Sequence, residues 1–145
     1  MIETPQETPR RRPGFTLLEI LVVIAILGLL IGLVAPAALR QLGGAKNSVA
    51  KQSIERLSTV LDLYKLDIGS YPNARQGLQA LIAQPDGVRG WNGPYLKSAT
   101  APVDPWNRPY VYRVPSLRKG LDYDLCSTGP NGQANDGVGS EWICN

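Results

Sequence analysis

One carboxylate stands alone in an apolar stretch. Glu19 is the only charged residue from Phe15 to Leu39, in the run FTLLEILVVIAILGLLIGLVAPAAL. At the centre of a membrane helix such a charge costs about 2.5–3.5 kcal/mol, less near an interface, so its retention asks for a pairing role. Ahead of it lie Arg10, Arg11 and Arg12, then Pro13 and the pair Gly14-Phe15. A secretory signal places its cleavage site after the apolar segment; here the small residue sits before it, so cutting at Gly14 would leave the apolar helix on the product. Other reactive groups lie far C-terminal: Cys126, Cys144 and the carboxylates of Asp122 and Asp124. Those two aspartates could do acid–base work, but on an alternating strand they are more simply solvent-facing. The chain has no His, which removes the usual general base and the commonest metal ligand. With no Ser/His/Asp set, Cys/His pair or Gly-Lys phosphate loop, the reading is that this is not an enzyme.

The elements that must position these groups follow from the distribution of apolar residues. The 145 residues allow one modest domain, and the 43% hydrophobic content and net charge of +3 are ordinary in total but unevenly placed. The basic cluster beside an apolar run suits a membrane surface, so no nucleic-acid partner is expected. Residues 1–14 are polar and carry Pro5, Pro9 and Pro13; residues 15–39 can span a bilayer, for which about twenty helical residues suffice. The alternative, a buried core helix, is disfavoured because the polar remainder offers little apolar surface to enclose it. From Arg40 to Leu66 the pattern becomes amphipathic, with Ile54, Leu57, Leu61 and Tyr64 at three- and four-residue steps and Val49, Ala50 and Val60 alongside. Gly69 and Pro72 supply a stop, and the two stretches together predict one long helix with weak points at Gly28, Pro36 and Gly43-Gly44. Asn73 is a candidate N-cap for a short helix bearing Leu78, Leu81 and Ile82 and ended by Pro85. Beyond the turns at Asp86-Gly87, Asn92-Gly93-Pro94 and Asp104-Pro105, Tyr110–Val114 and Leu121–Cys126 alternate as strands, forming an antiparallel hairpin around residues 116–120. The segment from Thr128 to Ser140 reads as a loop, with Trp142 and Ile143 returning to the core.

The N-terminal order R-R-R-P-G-F-T-L-L-E followed by an apolar helix resembles the type III signal of type IV pilins and pseudopilins. The resemblance implies that a prepilin peptidase cuts after Gly14 and methylates the new N-terminal Phe15. It also implies that Glu19, one helical turn beyond that amine on the same face, pairs with the amine of a neighbouring subunit and sets the polymer's stagger. The alternative is that Glu19 serves only its own N-terminus or the headgroups. Gly28 and Gly32 form G-x-x-x-G, a packing motif that is weak alone; the resemblance implies that the segment from about Gly28 to Pro36 can lose helical structure in a filament.

Further along, L-D-L-Y-K-L-D (Leu61–Asp67), Y-P-N-A-R-Q-G-L-Q-A-L (Tyr71–Leu81) and D-P-W-N-R-P-Y (Asp104–Tyr110) together resemble the major pseudopilin of the type II secretion system, the G-type subunit. That resemblance implies an α+β, pilin-like fold: a long N-terminal helix, membrane-spanning in its first half, packed on a small antiparallel sheet. The divisions it implies are a cleaved leader, 1–14, a transmembrane and assembly helix, 15–39, and a periplasmic domain, 40–145. It further implies a homopolymer anchored in the bacterial inner membrane, whose partners are other copies of itself, the peptidase, minor pseudopilins and the inner-membrane assembly platform. A type IV pilin of adhesion or DNA uptake is the alternative, and a membrane-anchored periplasmic binding protein a more distant one.

The tail departs from the family. Where relatives of this type carry a calcium loop with Asp in G-P-D-G and a later Asp pair, this chain has Asn131 and Asp136-Gly137. Calcium takes six to eight oxygens and gains affinity from carboxylates, so Asn131, Asp136 and carbonyls such as that of Thr128 offer a weaker site; the alternative is a turn with no ion. Cys126 and Cys144 bracket this loop on the side expected to be periplasmic, where a disulfide persists and would replace that support, two free thiols being the alternative.

Overall fold

The computed structural model describes residues 14–132 and 141–145. Arg10, Arg11, Arg12, Asp136 and Gly137 lie outside them. The dominant element is α1, a single helix over Leu17–Ile68, which joins the apolar run to the amphipathic stretch. Thr16 starts it: its Oγ1 accepts the backbone N–H of Glu19 at 3.2 Å, satisfying a donor that the first turn leaves free. Gly69 ends it with φ +90 and an amide donated to the Lys65 carbonyl at 2.7 Å, a left-handed stop that glycine adopts without penalty. Gly28, Pro36, Gly43 and Gly44 all lie within helix, so none of the anticipated weak points breaks α1 in this state.

The chain divides into two units between Arg40 and Gln41. In the first, every described residue is exposed, and the helix contains an 18-residue window of mean hydropathy 3.0. That length and composition match a bilayer span.

The second unit has its own core. Along α1, Ala50, Ile54, Leu57, Leu61 and Tyr64 are buried, the stripe the spacing predicts. They pack with Leu78, Ala80 and Leu81 and with Tyr110, Tyr123 and Leu125. Each fully buried leucine contributes about 1.5–3 kcal/mol. Val49, expected beside the stripe, is 50% exposed, because one residue before Ala50 it has turned 100° toward solvent. The predicted short helix is a 3-10 turn over Gly77–Leu81; Asn73 caps the turn ahead of it, its Oδ1 accepting the N–H groups of Arg75 and Gln76 at 3.0 and 2.9 Å. Tyrosines tie these loops to α1: Tyr71 donates to Asp62 at 2.8 Å and Tyr95 to Asp67 at 2.7 Å.

Three short strands, β1 (Val111–Arg113), β2 (Asp124–Ser127) and β3 (Ile143–Cys144), form an antiparallel sheet in the order β1-β2-β3. The predicted hairpin is present, but the second strand lies three residues later than expected and the connection runs from Val114 to Tyr123. All of β2 is buried, so the polar-out alternation expected there fails. A central strand covered on both faces has no solvent side to present.

Candidate functional site

Gly14 and Phe15 lie just ahead of α1, outside any helix or strand, and Phe15 is 80% exposed. The junction is therefore an unstructured, reachable peptide bond. Glu19 is exposed on the first turn of α1, and among the described residues its carboxylate has no hydrogen bond or ion pair. The positive end of the helix dipole favours an anion there by about 0.3–1 kcal/mol. Thr16 was missed in the sequence, although T-x-x-E ahead of an apolar run is the signature of a capping box.

At the other end of the chain, Cys126 and Cys144 face each other across β2 and β3 and form a disulfide. It closes the loop that holds Thr128 and Asn131. Arg108 enters this loop from outside: its guanidinium donates to the Gly129 carbonyl at 2.7 Å, the Pro130 carbonyl at 2.8 Å and, more weakly, Thr128 Oγ1 at 3.4 Å. The amide nitrogen of Asn131 donates to the Glu141 carboxylate. Of the three positions read as calcium ligands, Asp136 lies outside the described residues. Thr128 meets Arg108 through its hydroxyl and Asn131 meets Glu141 through its amide nitrogen, not through the oxygens read as ligands. Among the described residues no group of three or more His, Cys, Asp or Glu side chains converges. Arg108 itself was not singled out by sequence, because D-P-W-N-R-P-Y reads as turn punctuation and 20 residues separate Arg108 from Thr128.

Asp124 corrects the expectation of a solvent-facing strand residue: it is 1% exposed. Its carboxylate accepts from Ser116 Oγ at 2.6 Å, Leu117 N–H at 2.8 Å and Arg118 Nε at 2.7 Å. Arg118 continues to the Asn145 carbonyl and side-chain oxygen at 2.8 and 2.6 Å. Burial alone would raise the Asp124 carboxyl, but the hydrogen bonds from Ser116, Leu117 and Arg118 outweigh it and hold the group below its usual value. The carboxyl is depressed on folding, so its contribution is full above the ordinary carboxylate range. It is lost as pH falls through the depressed value. Asp124→Asn is expected to cost about 2 kcal/mol near neutrality and to flatten the acid limb of stability. Urea unfolding at pH 7 and below about pH 4 checks this; a variant with the wild-type acid dependence would rule the network out as its source.

An exposed apolar helix, begun by a capped turn bearing Glu19 and continued into a small α+β unit, defines the class as pilin-like subunits with a membrane-anchoring helix. Residues 9–35 match the prokaryotic N-terminal methylation motif, and residues 37–145 match the type II secretion system protein G family. The chain belongs to that family. It is 42% identical over 139 residues to the type II secretion system core protein G of Pseudomonas aeruginosa, covering 92% of this chain and 96% of the relative. The corresponding protein of Vibrio cholerae is 38% identical over 136 residues, with 91% and 90% covered. Among solved structures, the major pseudopilin from the type 2 secretion system of enterohaemorrhagic Escherichia coli superposes with a TM-score of 0.62 at 29% identity, over 72% of this chain and 86% of that one.

Proposed function

We propose that this chain is the major structural subunit of a type II secretion pseudopilus, polymerising in the periplasm to help export folded proteins across the outer membrane. The observation that carries the reading is the exposed carboxylate of Glu19, without a partner among the described residues, on the first turn of an apolar helix. A prepilin peptidase cuts after Gly14 and methylates Phe15, and the new amine of one subunit receives Glu19 of the next. Other copies of the chain, the minor pseudopilins and the inner-membrane platform are its partners. Its role is mechanical rather than enzymatic. The arginines before the apolar run support a cytoplasmic N-terminus. The Cys126–Cys144 disulfide supports an oxidising, periplasmic location for the rest. Gly28 and Pro36 form the segment that gives up helix in the filament: relative to alanine they cost about 1 and about 3 kcal/mol in a helix interior, so unwinding is cheapest there.

Mass spectrometry of the N-terminus in the membrane fraction tests the processing step. The expected product begins at methylated Phe15. Retention of Met1, or a start beyond Leu39, contradicts the reading.

A further inference from the structure

We infer that Lys51 of one copy pairs with Glu55 of the next, a second ion pair set by the stagger that seats Glu19 at the amine of Phe15; the inference rests on the pairing proposed above. Both side chains are exposed on α1. Among the described residues the salt bridges are Lys65–Asp122 and Arg118–Asp124, so neither Lys51 nor Glu55 has an ionic partner there. They stand one turn apart yet do not bridge each other, and a lysine four residues ahead of a glutamate is the poorer order for an intrahelical pair. Lys51 borders an open groove of about 430 Å³ that Glu141 also lines, and the Glu141 carboxylate already accepts from the amide of Asn131. The hydrogen bond that Glu55 accepts from Thr59 Oγ1, at 3.1 Å, uses its backbone carbonyl and leaves the carboxylate free.

The register follows from the geometry of a polymer. Copies in a filament are related by one rotation and one translation, so a level matched between neighbours stays matched wherever α1 runs along the filament axis. Glu19 at the level of the neighbour's Phe15 is an offset of four residues, about 6 Å at 1.5 Å per residue. The same offset brings Glu55 level with the neighbour's Lys51, because these two are also four residues apart. The translation belongs to the whole subunit, so it survives any unwinding between Gly28 and Pro36. The direction agrees as well: the copy that offers Glu19 also offers Glu55, and its neighbour offers the amine and the ammonium. No other two charged side chains of α1 stand four residues apart, so this offset sets no like charges level. Lys46, Lys51 and Arg56 of the first copy fall level with Leu42, Asn47 and Gln52 of its neighbour. An exposed pair contributes little alone, but repeated at every subunit contact it favours one register over the others.

The full-length chain, in cells that polymerise it, provides the test. Two variants, Lys51→Cys and Glu55→Cys, are produced together and the polymers oxidised; the native cysteines are already bonded to each other. A disulfide-linked dimer is expected with both variants present, but not with either alone or with Lys51→Cys beside Thr59→Cys. It should vanish when both copies also carry Glu19→Ala, and a dimer that persists there overturns the shared stagger. Polymers that form without the cross-link overturn the inference and leave assembly through Glu19 standing. A wild-type chain that does not polymerise overturns the Glu19 reading itself, and this pairing falls with it. Charge reversal needs no cysteine: Lys51→Glu or Glu55→Lys alone is expected to reduce polymer roughly tenfold, and the two combined in one chain to restore it. A combined variant no better than either single one, or single variants that polymerise like the wild type, overturn the inference as well.

Discussion

Cells producing Glu19→Ala are expected to keep the subunit in the membrane and to lose both its polymers and type II secretion. Removing the carboxylate eases insertion, by up to about 2.5–3.5 kcal/mol if the group sits deep and by less near the interface. It also leaves the helix start intact, because Thr16 Oγ1 caps the backbone N–H of residue 19, not its side chain. What the variant forfeits locally is the favourable placement of an anion at the helix N-terminus, about 0.3–1 kcal/mol. That is far too little to unravel a helix of 52 residues. Loss of assembly with unchanged helical circular dichroism would therefore be an intermolecular effect, the amine of one subunit left without its counter-charge. Burying that amine unpaired carries the large penalty that pairing avoids. Normal secretion with the alanine variant would mean that Glu19 serves only its own N-terminus or the headgroups.

Reduction of the Cys126–Cys144 bond is expected to lower the melting temperature of the full-length protein in detergent by roughly 10–20 °C, far more than a calcium chelator does. The bond spans 18 positions, and closing a loop of that size contributes about 3 kcal/mol in the chain-entropy model. The structure supplies a second reason. β3 has only two residues, paired to β2 at Cys126↔Cys144 and Ser127↔Ile143, which is too little ladder to hold itself. Once the sulfur link is gone, Ile143 can leave the core and the Asn145 contacts to Arg118 and Leu125 loosen with it. The double substitution Cys126→Ser with Cys144→Ser should reproduce the loss without reductant. A chelator that damages the protein more than reductant does would show that the loop depends on calcium and that the disulfide is secondary.

How much of this was readable in advance depended on how local the cause was. The stripe of Ile54, Leu57, Leu61 and Tyr64 was legible because a helix converts sequence spacing directly into a face, with no knowledge of what lies opposite. The break before Gly69 and the cap at Asn73 are likewise settled within a few residues. The strand assignments were less secure. Val111–Arg113 fell inside its expected segment, but β2 began at Asp124 rather than Leu121, since pairing partners, not alternation, set where a strand starts. Asp124 shows the sharpest failure: its polarity argued for solvent, and only the arrival of Ser116, Leu117 and Arg118 makes its burial tolerable.

By itself, then, the sequence determined an apolar run long enough to span a bilayer, the Gly14-Phe15 pair ahead of it, the isolated charge of Glu19, the amphipathic continuation of the helix and the family. Each rests on residues close together in the chain or on their linear order. The tertiary structure alone decided that the helix runs unbroken through Gly28 and Pro36, that the two cysteines meet across a strand pair, and that Asp124 is an internal anion. It alone also brought Arg108 to the carbonyls of Gly129 and Pro130, 21 and 22 residues away. The reason is the same in each case: a polar group's role follows from which partners reach it, and the chain folding back on itself, not its spacing, selects those partners.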